Sequence, residues 1–291
     1  MKQILITGAN GQLGNCIRDY EQLYPEWKFL YTDITELDLC NSAAINKFFE
    51  SHEIHYIVNC AAFTAVDKAE EEPELCLKIN KDAVSELGHA AMEHGAKIIH
   101  ISTDYVFDGN NCRPYVETDE TNPISVYGMT KLEGEKALLS VCPQAIILRT
   151  AWLYSEYGRN FVKTMRSLAK ERKEINVVFD QIGTPTYAGD LAKAILSIIQ
   201  RSEEGKWNNG IYHFSNEGVC SWYDFALKII EISLLQCSVH PIESKDYPTK
   251  AVRPCFSVLN KRKIKETYPE IIIPHWEESL IHCLDKLEKL K

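Results

Sequence analysis

Gln3-Ile4-Leu5-Ile6-Thr7-Gly8-Ala9-Asn10-Gly11-Gln12-Leu13-Gly14 runs from an apolar segment, through a glycine-spaced turn, into a helical pattern. Residues 3–7 read as a buried strand and residues 12–24 as the helix that follows. Glycines at 8, 11 and 14 permit a tight turn. They also let a pyrophosphate approach the backbone N–H groups at the helix start. A glycine trio alone is weak evidence, and its surroundings strengthen it. Strands are expected at 28–32, 55–60, 97–102 and 145–150. Helices are expected at 41–51 (capped by Asn41 or Ser42), at 73–94, and around Tyr127 and Lys131.

Strands apolar on both faces and separated by helices predict an α/β fold, a doubly wound parallel sheet of Rossmann-like type. After Thr150 the pattern loosens. Aromatic, Gly and Pro residues gather at 152–161 and 181–187, and helices are expected at 188–200, 222–235 and 276–290. The last places Trp276, Leu280, Leu284 and Leu287 on one face, with acidic residues early and lysines late, as the helix dipole prefers. The expected organisation is a dinucleotide-binding domain of residues 1–150 plus returning segments at about 185–215. A smaller C-terminal α/β substrate-binding lobe would take about 151–184 and 216–291. A ligand cleft would lie between them, at the carboxyl ends of the strands.

Composition narrows the class. The 291 residues are 45% hydrophobic and 25% charged, which is ordinary globular material. Thirty-two basic against 41 acidic residues give a net charge of −9, which argues against a nucleic-acid partner. The apolar run near Met1 is too short for a signal segment, and no stretch suggests a membrane span. No two of the ten cysteines stand closer than sixteen residues, so no CxxC motif exists. They read as reduced thiols packed as small hydrophobes, which fits a cytoplasmic enzyme.

Polar residues at the strand ends carry the chemistry. Asp33 ends the second strand, 19 residues after Gly14, where a carboxylate accepts hydrogen bonds from an adenosine ribose and repels a 2′-phosphate. Asp38-Leu39 follows, within reach of an adenine. Ala62-Phe63-Thr64 lies after the third strand, where small residues leave room for a cofactor or merely allow helix packing. Tyr127 and Lys131 share one helical face. A tyrosine titrates near 10, and a neighbouring ammonium would pull it down toward neutral pH. Ser102 or Thr103 at the end of the 97–102 strand could bond a substrate carbonyl. His100, mid-strand, reads as a packed core histidine. Trp152 fits a ligand platform as well as a core residue. Arg253, beside Pro254, fits a pyrophosphate clamp or a surface ion pair.

Gly8-x-x-Gly11-x-x-Gly14, the hydroxyls after the 98–101 run and Tyr127-x-x-x-Lys131 together resemble the extended short-chain dehydrogenase/reductase superfamily. Narrower blocks are Ala65-Val66-Asp67-Lys68-Ala69-Glu70, Ser102-Thr103-Asp104-Tyr105-Val106-Phe107-Asp108-Gly109, Val126-Tyr127-Gly128-x-Thr130-Lys131-x-x-Gly134-Glu135, Arg149-Thr150-Ala151-Trp152-Leu153-Tyr154 and Arg253-Pro254. They are similar to the dTDP-4-dehydrorhamnose reductase family over nearly the whole chain.

The resemblance implies reduction of the C4 ketone of dTDP-4-dehydro-β-L-rhamnose with NADPH or NADH. Tyr127 would be the proton donor, Lys131 its cofactor-binding partner and Thr103 the group that tunes the tyrosine and touches the sugar. Substrate contacts would fall on Thr103, Asp104 and Trp152. Cofactor contacts would fall on Gly8, Gly11, Gln12, Leu13, Gly14, Asp33, Asp38, Leu39, Ala62, Phe63 and Thr64, with Phe63 acting through its backbone. A homodimer and a Mg2+ ion are known among members of the family, but no metal ligand set can be matched here. Two other kinds of protein share the pattern. One is a nucleotide-sugar epimerase or dehydratase, which recycles its dinucleotide. The other is a non-catalytic regulatory subunit like the β subunit of methionine adenosyltransferase. Asp104-Tyr105 in place of an Asp-Glu pair argues against a dehydratase. The presence of Thr103, Tyr127 and Lys131 argues for an active enzyme.

Overall fold

The structure is a computed structural model that describes residues 1–289. Its centre is a six-stranded sheet. Strands β1 (Lys2–Thr7), β2 (Trp27–Thr32), β3 (Ile54–Asn59), β4 (Lys97–Thr103) and β5 (Ile146–Thr150) are joined by a late strand, Gly210–His213. The spatial order is Gly210–His213, β5, β4, β3, β1, β2, and every neighbouring pair is parallel. The chain steps from β1 outward to β2 and then crosses to β3 on the other side. That reversal leaves a crevice beyond the carboxyl ends of β1 and β3, where open α/β sheets bind ligands.

Both faces of the sheet are covered, which explains its unbroken apolar strands. Ile4, Ile6, Val58, Ile99, Ile146 and Leu148 pack with Leu13, Ile17 and the helix Ala188–Glu203. Leu5, Ile57, Ile98 and Ile147 face Phe49, Leu87 and Leu138 on the opposite side. At about 25 cal/mol per Å2, each fully buried Ile or Leu here contributes roughly 1.5–3 kcal/mol.

Two helices depart from the expected outline. The pattern read as one helix over 12–24 ends at Arg18, and Glu21–Leu23 form a separate 3-10 turn. Pro25 disfavours helical backbone at Tyr24, whose ring instead stacks on Trp27 at 4.4 Å. The stretch 73–94 is helical throughout but contains a π turn at Lys78–Asp82. Asn41 is the cap of the helix Ser42–Ser51, its side chain accepting from Ala44 N.

A second core gathers Val162, Met165, Ile175, Phe225, Ile229, Trp276, Leu280 and Leu284 beside the paired strands Glu174–Val178 and Ser238–Ile242. Leu287 packs against it half-buried, while Leu290 lies outside the described residues. Ile264, Tyr268 and Ile271 return to the core of the sheet, although they sit late in the chain. Buried polar groups join the two parts. Ser279 Oγ donates to Asp190 Oδ2 at 2.5 Å and Asn216 Nδ2 donates to the same oxygen at 2.9 Å. No helix among the described residues is long and apolar enough to cross a membrane.

Candidate active site

A cleft of about 820 Å3 opens at the β1/β3 switch point and runs to Trp152 and Trp222. Gly8, Gly11, Gln12, Leu13, Asp33, Asp38, Leu39, Ala62 and Thr64 line it, together with Thr103, Asp104, Tyr127, Lys131 and Trp152. These residues, far apart in sequence, meet because they sit at or after the carboxyl ends of the sheet strands, Tyr127 and Lys131 on the helix Val126–Val141 that follows β4.

The cradle suits a dinucleotide. Gly8 has φ +60, and a Cβ there would lie 2.8 Å from Ala61 Cα, so only glycine lets the β1 and β3 ends approach. The helix Gln12–Arg18 starts at Gly11, which offers no side-chain cap. The first-turn amides therefore have no acceptor within the helix and favour an anion. Asp33 is held at the cleft by two amides: Oδ2 accepts from Asn10 N at 3.1 Å and Oδ1 from Ile34 N at 2.9 Å. Asp38 Oδ1 accepts from Cys40 N at 2.9 Å. Gln12 also ties the cradle to the second lobe, accepting from Ser155 Oγ and Asn160 Nδ2 at 3.1 and 2.9 Å.

Three expected contacts do not line the cleft. Gly14 faces inward, where a Cβ would meet Ala9 Cα at 2.5 Å, so it lets the helix sit on the turn rather than touch a ligand. Phe63 has both backbone groups occupied by Asn80. Its N–H donates to Asn80 Oδ1 at 2.8 Å, and its carbonyl accepts from Asn80 Nδ2 at 3.2 Å. Arg253 grips Asp67 instead of facing the cleft, with Nη2 on Oδ2 at 2.8 Å and Nη1 on Oδ1 at 3.3 Å. The ion pair holds the Asp67 carboxyl below its usual range.

The polar centre is built from β4 and the helix Val126–Val141. Ser125 caps that helix by accepting from Gly128 N at 3.1 Å, which puts Tyr127 in the first turn and Lys131 one turn deeper. Thr103 Oγ1 donates to Asp104 Oδ1 at 3.0 Å and accepts from Tyr105 N at 3.2 Å. Burial pushes the Tyr127 phenol well up; the Thr103 hydroxyl opposes this and the Asp104 carboxylate adds to it. The expected downward pull of Lys131 on the tyrosine is not what the fold supplies. Lys131 Nζ turns to Ile101 O at 2.7 Å and to His100 Nε2 at 3.2 Å. Burial lowers the Lys131 amine to about 8, with Glu135 opposing. Burial also raises Asp104 to about 6, with Ser257 and Thr103 opposing.

Several residues here were not read from sequence. Trp222 lines the cleft from the second lobe and stacks on Trp152, with centroids 3.6 Å apart and planes 10° from parallel. Its sequence signal is the capping box Ser221-x-x-Asp224, which fixes the helix start beside it. Trp152 carries φ +49, an unfavourable backbone for a bulky residue that the surrounding packing must hold. Beneath Thr103, Glu135 and Arg149 form a buried bidentate pair, and Ser102 Oγ donates to Glu135 Oε1 at 2.5 Å. Asn80, in the π turn, bonds Thr130 Oγ1 at 3.1 Å and so ties the loop after β3 to the Tyr127 helix.

Comparison with known proteins shows the family and the same fold. The family model described as RmlD substrate binding domain matches residues 1–289. The dTDP-4-dehydrorhamnose reductase of Aggregatibacter actinomycetemcomitans is 43% identical, covering 92% of this chain and 94% of its own. A crystal structure of a dTDP-4-dehydrorhamnose reductase from Clostridium acetobutylicum has a TM-score of 0.92 at 44% identity, covering 98% of this chain and 99% of that one. One from Bacillus anthracis, in complex with NADP, has a TM-score of 0.92 at 39% identity over 98% of this chain and 100% of that one. The chain belongs to the dTDP-4-dehydrorhamnose reductase family.

Proposed function

We propose that the protein reduces the C4 ketone of dTDP-4-dehydro-β-L-rhamnose to dTDP-L-rhamnose, the last step of dTDP-rhamnose biosynthesis, in the cytoplasm. The observation that carries this reading is the convergence of Thr103, Tyr127 and Lys131 in the cleft that also holds the glycine turn. A reduced nicotinamide dinucleotide would supply the hydride. It would be held by the first-turn amides at residues 12 and 13, by Asp33 at the adenosine ribose and by Lys131 at the inner ribose. Residues 1–150 with about 185–215 and the returning segment 264–273 form the dinucleotide side, and about 151–184 with the rest of 216–289 the sugar side.

The chain's own part is to orient the ketone and deliver a proton. Thr103 would turn its one hydroxyl proton from Asp104 Oδ1 to the ketone oxygen when the sugar binds. Tyr127 gives its phenolic proton to the alkoxide formed there. A phenol raised by burial stays protonated at neutral pH, and an alkoxide is basic enough to take the proton from it. Trp152 and Trp222 close the sugar end and exclude water.

The test is loss of dinucleotide absorbance with enzymatically made dTDP-4-dehydrorhamnose, run in parallel with NADPH and NADH. Net consumption separates a reductase from an epimerase or dehydratase, which returns its dinucleotide unchanged. Tyr127→Phe should lower turnover by about 10^2–10^4 while leaving dinucleotide affinity nearly intact. Wild-type-like turnover in that variant would sink the assignment.

A further inference from the structure

His100 lies wholly buried between the Lys131 amine and Asn59, and the hydrogen-bond directions along this line do not match a charged lysine. The argument begins at Asn59. Its Oδ1 accepts from the Ala61 backbone N–H at 3.2 Å and from Thr7 Oγ1 at 2.7 Å. A backbone N–H can only donate, so this fixes the orientation of the amide. Asn59 Nδ2 then faces His100 Nδ1 at 3.0 Å as a donor, and Nδ1 must be the accepting, unprotonated nitrogen. Burial and the nearby lysine hold His100 well below its usual range, so the ring is neutral and has one proton. That proton is on Nε2, which faces Lys131 Nζ at 3.2 Å. An ammonium there sets donor against donor. An uncharged amine accepts from Nε2–H, still donates to Ile101 O, and leaves every group in the line satisfied.

We propose that His100 is a positioning residue for the proton of Lys131: its Nε2–H opposes the ammonium, and the Thr7–Asn59–His100 chain favours the uncharged amine. The other titratable groups facing the amine are few. Glu135 is on its own helix, Cys60 follows β3, and Cys76 comes from the helix Pro73–Leu77. Of these only Glu135 brings a carboxylate, and it is already occupied by Arg149 and Ser102. Lys131 therefore holds its proton less tightly than an ordinary lysine, and its charge gives way just above neutral pH. The inference rests on the reading of Lys131 as part of a reductase site, but the arrangement of protons does not.

Two measurements test it. The first is 15N NMR of the full chain labelled at its nine histidines, with His100→Gln used to assign the His100 signals. The expected result is a single neutral tautomer, protonated at Nε2, across neutral pH. A ring protonated at Nδ1 overturns the proposal. This arm needs no substrate, so it stands even if the wild-type protein fails to oxidise NADPH, a failure that would defeat the functional reading alone. The second is Asn59→Asp, which gives Nδ1 an acceptor for a proton and frees the Nε2 lone pair for the ammonium. The alkaline limb of kcat/KM should move up by about one pH unit. A limb that stays in place, or moves down, overturns the proposal; should the variant not fold, the tautomer of the wild type decides.

Discussion

Replacing Glu135 by Gln keeps the shape of the side chain and removes the charge that Arg149 is buried against. The two side chains are 2% and 3% exposed, with Nη2 to Oε2 at 2.7 Å and Nε to Oε1 at 2.9 Å. Nη1 of Arg149 already has no hydrogen-bond partner among the described residues, so the guanidinium has little else to lean on. Removing one member of a buried pair leaves the other uncompensated, at a cost of about 3–5 kcal/mol. For a chain of this size each kcal/mol moves the melting midpoint by about 2–4 °C, so Glu135→Gln should melt roughly 6–20 °C lower. Activity should carry a second mark. Glu135 raises the Lys131 amine against the effect of burial, so its loss should bring the alkaline limb of kcat/KM to lower pH. The assay is a thermal melt beside a pH–rate profile. A double variant, Glu135→Leu with Arg149→Met, provides the control. It removes both charges and should return to within about 1 kcal/mol of wild type or exceed it. A single variant that loses less than about 1 kcal/mol, or a double no more stable than the single, refutes the reasoning.

Two further outcomes follow from the cleft. Trp222→Ala removes the ring stacked on Trp152, an interaction of about 0.5–1.5 kcal/mol. The KM for the nucleotide-sugar should rise up to about tenfold while dinucleotide binding by fluorescence titration stays unchanged; a change confined to the dinucleotide would move Trp222 out of the sugar site. Asp104 tests the sign of a linkage. Its carboxyl titrates at about 6 when folded against 3.8 as an ordinary aspartate, so the native state holds the proton more tightly and wild-type stability falls as pH rises from about 4 to 6. Asp104→Asn removes that penalty. It should be more stable than wild type by about 3 kcal/mol at pH 7.5, with the difference gone at pH 4, and denaturant melts showing the opposite trend would reject the shift.

What was legible in the sequence was local. The strand–turn–helix at the start could be read because an unbroken apolar run and the glycine spacing act over a few residues. Tyr127 and Lys131 could be paired for the same reason, being one helical turn apart. What Lys131 does with its amine could not be read, because its partners come from another strand and are chosen by packing. His100 looked like an inert core residue until the fold set it under the lysine. Arg253 and Asp67 both stood in noticed blocks, yet nothing local joins charges 186 residues apart. Gly14 and Phe63 followed the motif in sequence but not in space, since one packs on Ala9 and the other is occupied by Asn80. The π turn at Lys78–Asp82 escaped because its apolar stripe differs from an ordinary helix by a single residue.

The late segments that return to the sheet bear on how the protein is made. A nascent chain that has emerged only to Thr150 has five of six strands but lacks the helix Ala188–Glu203, the strand Gly210–His213 and the anchor residues Ile264, Tyr268 and Ile271. One face of its sheet, with Ile4, Ile6, Val58 and Leu148, would be covered only by the short helix Gln12–Arg18 and otherwise open to water. Synthesis at about 5–20 residues per second leaves that face uncovered for several seconds. Completion of the sheet's core therefore waits for residues 188–271, an interval in which exposed apolar surface favours aggregation.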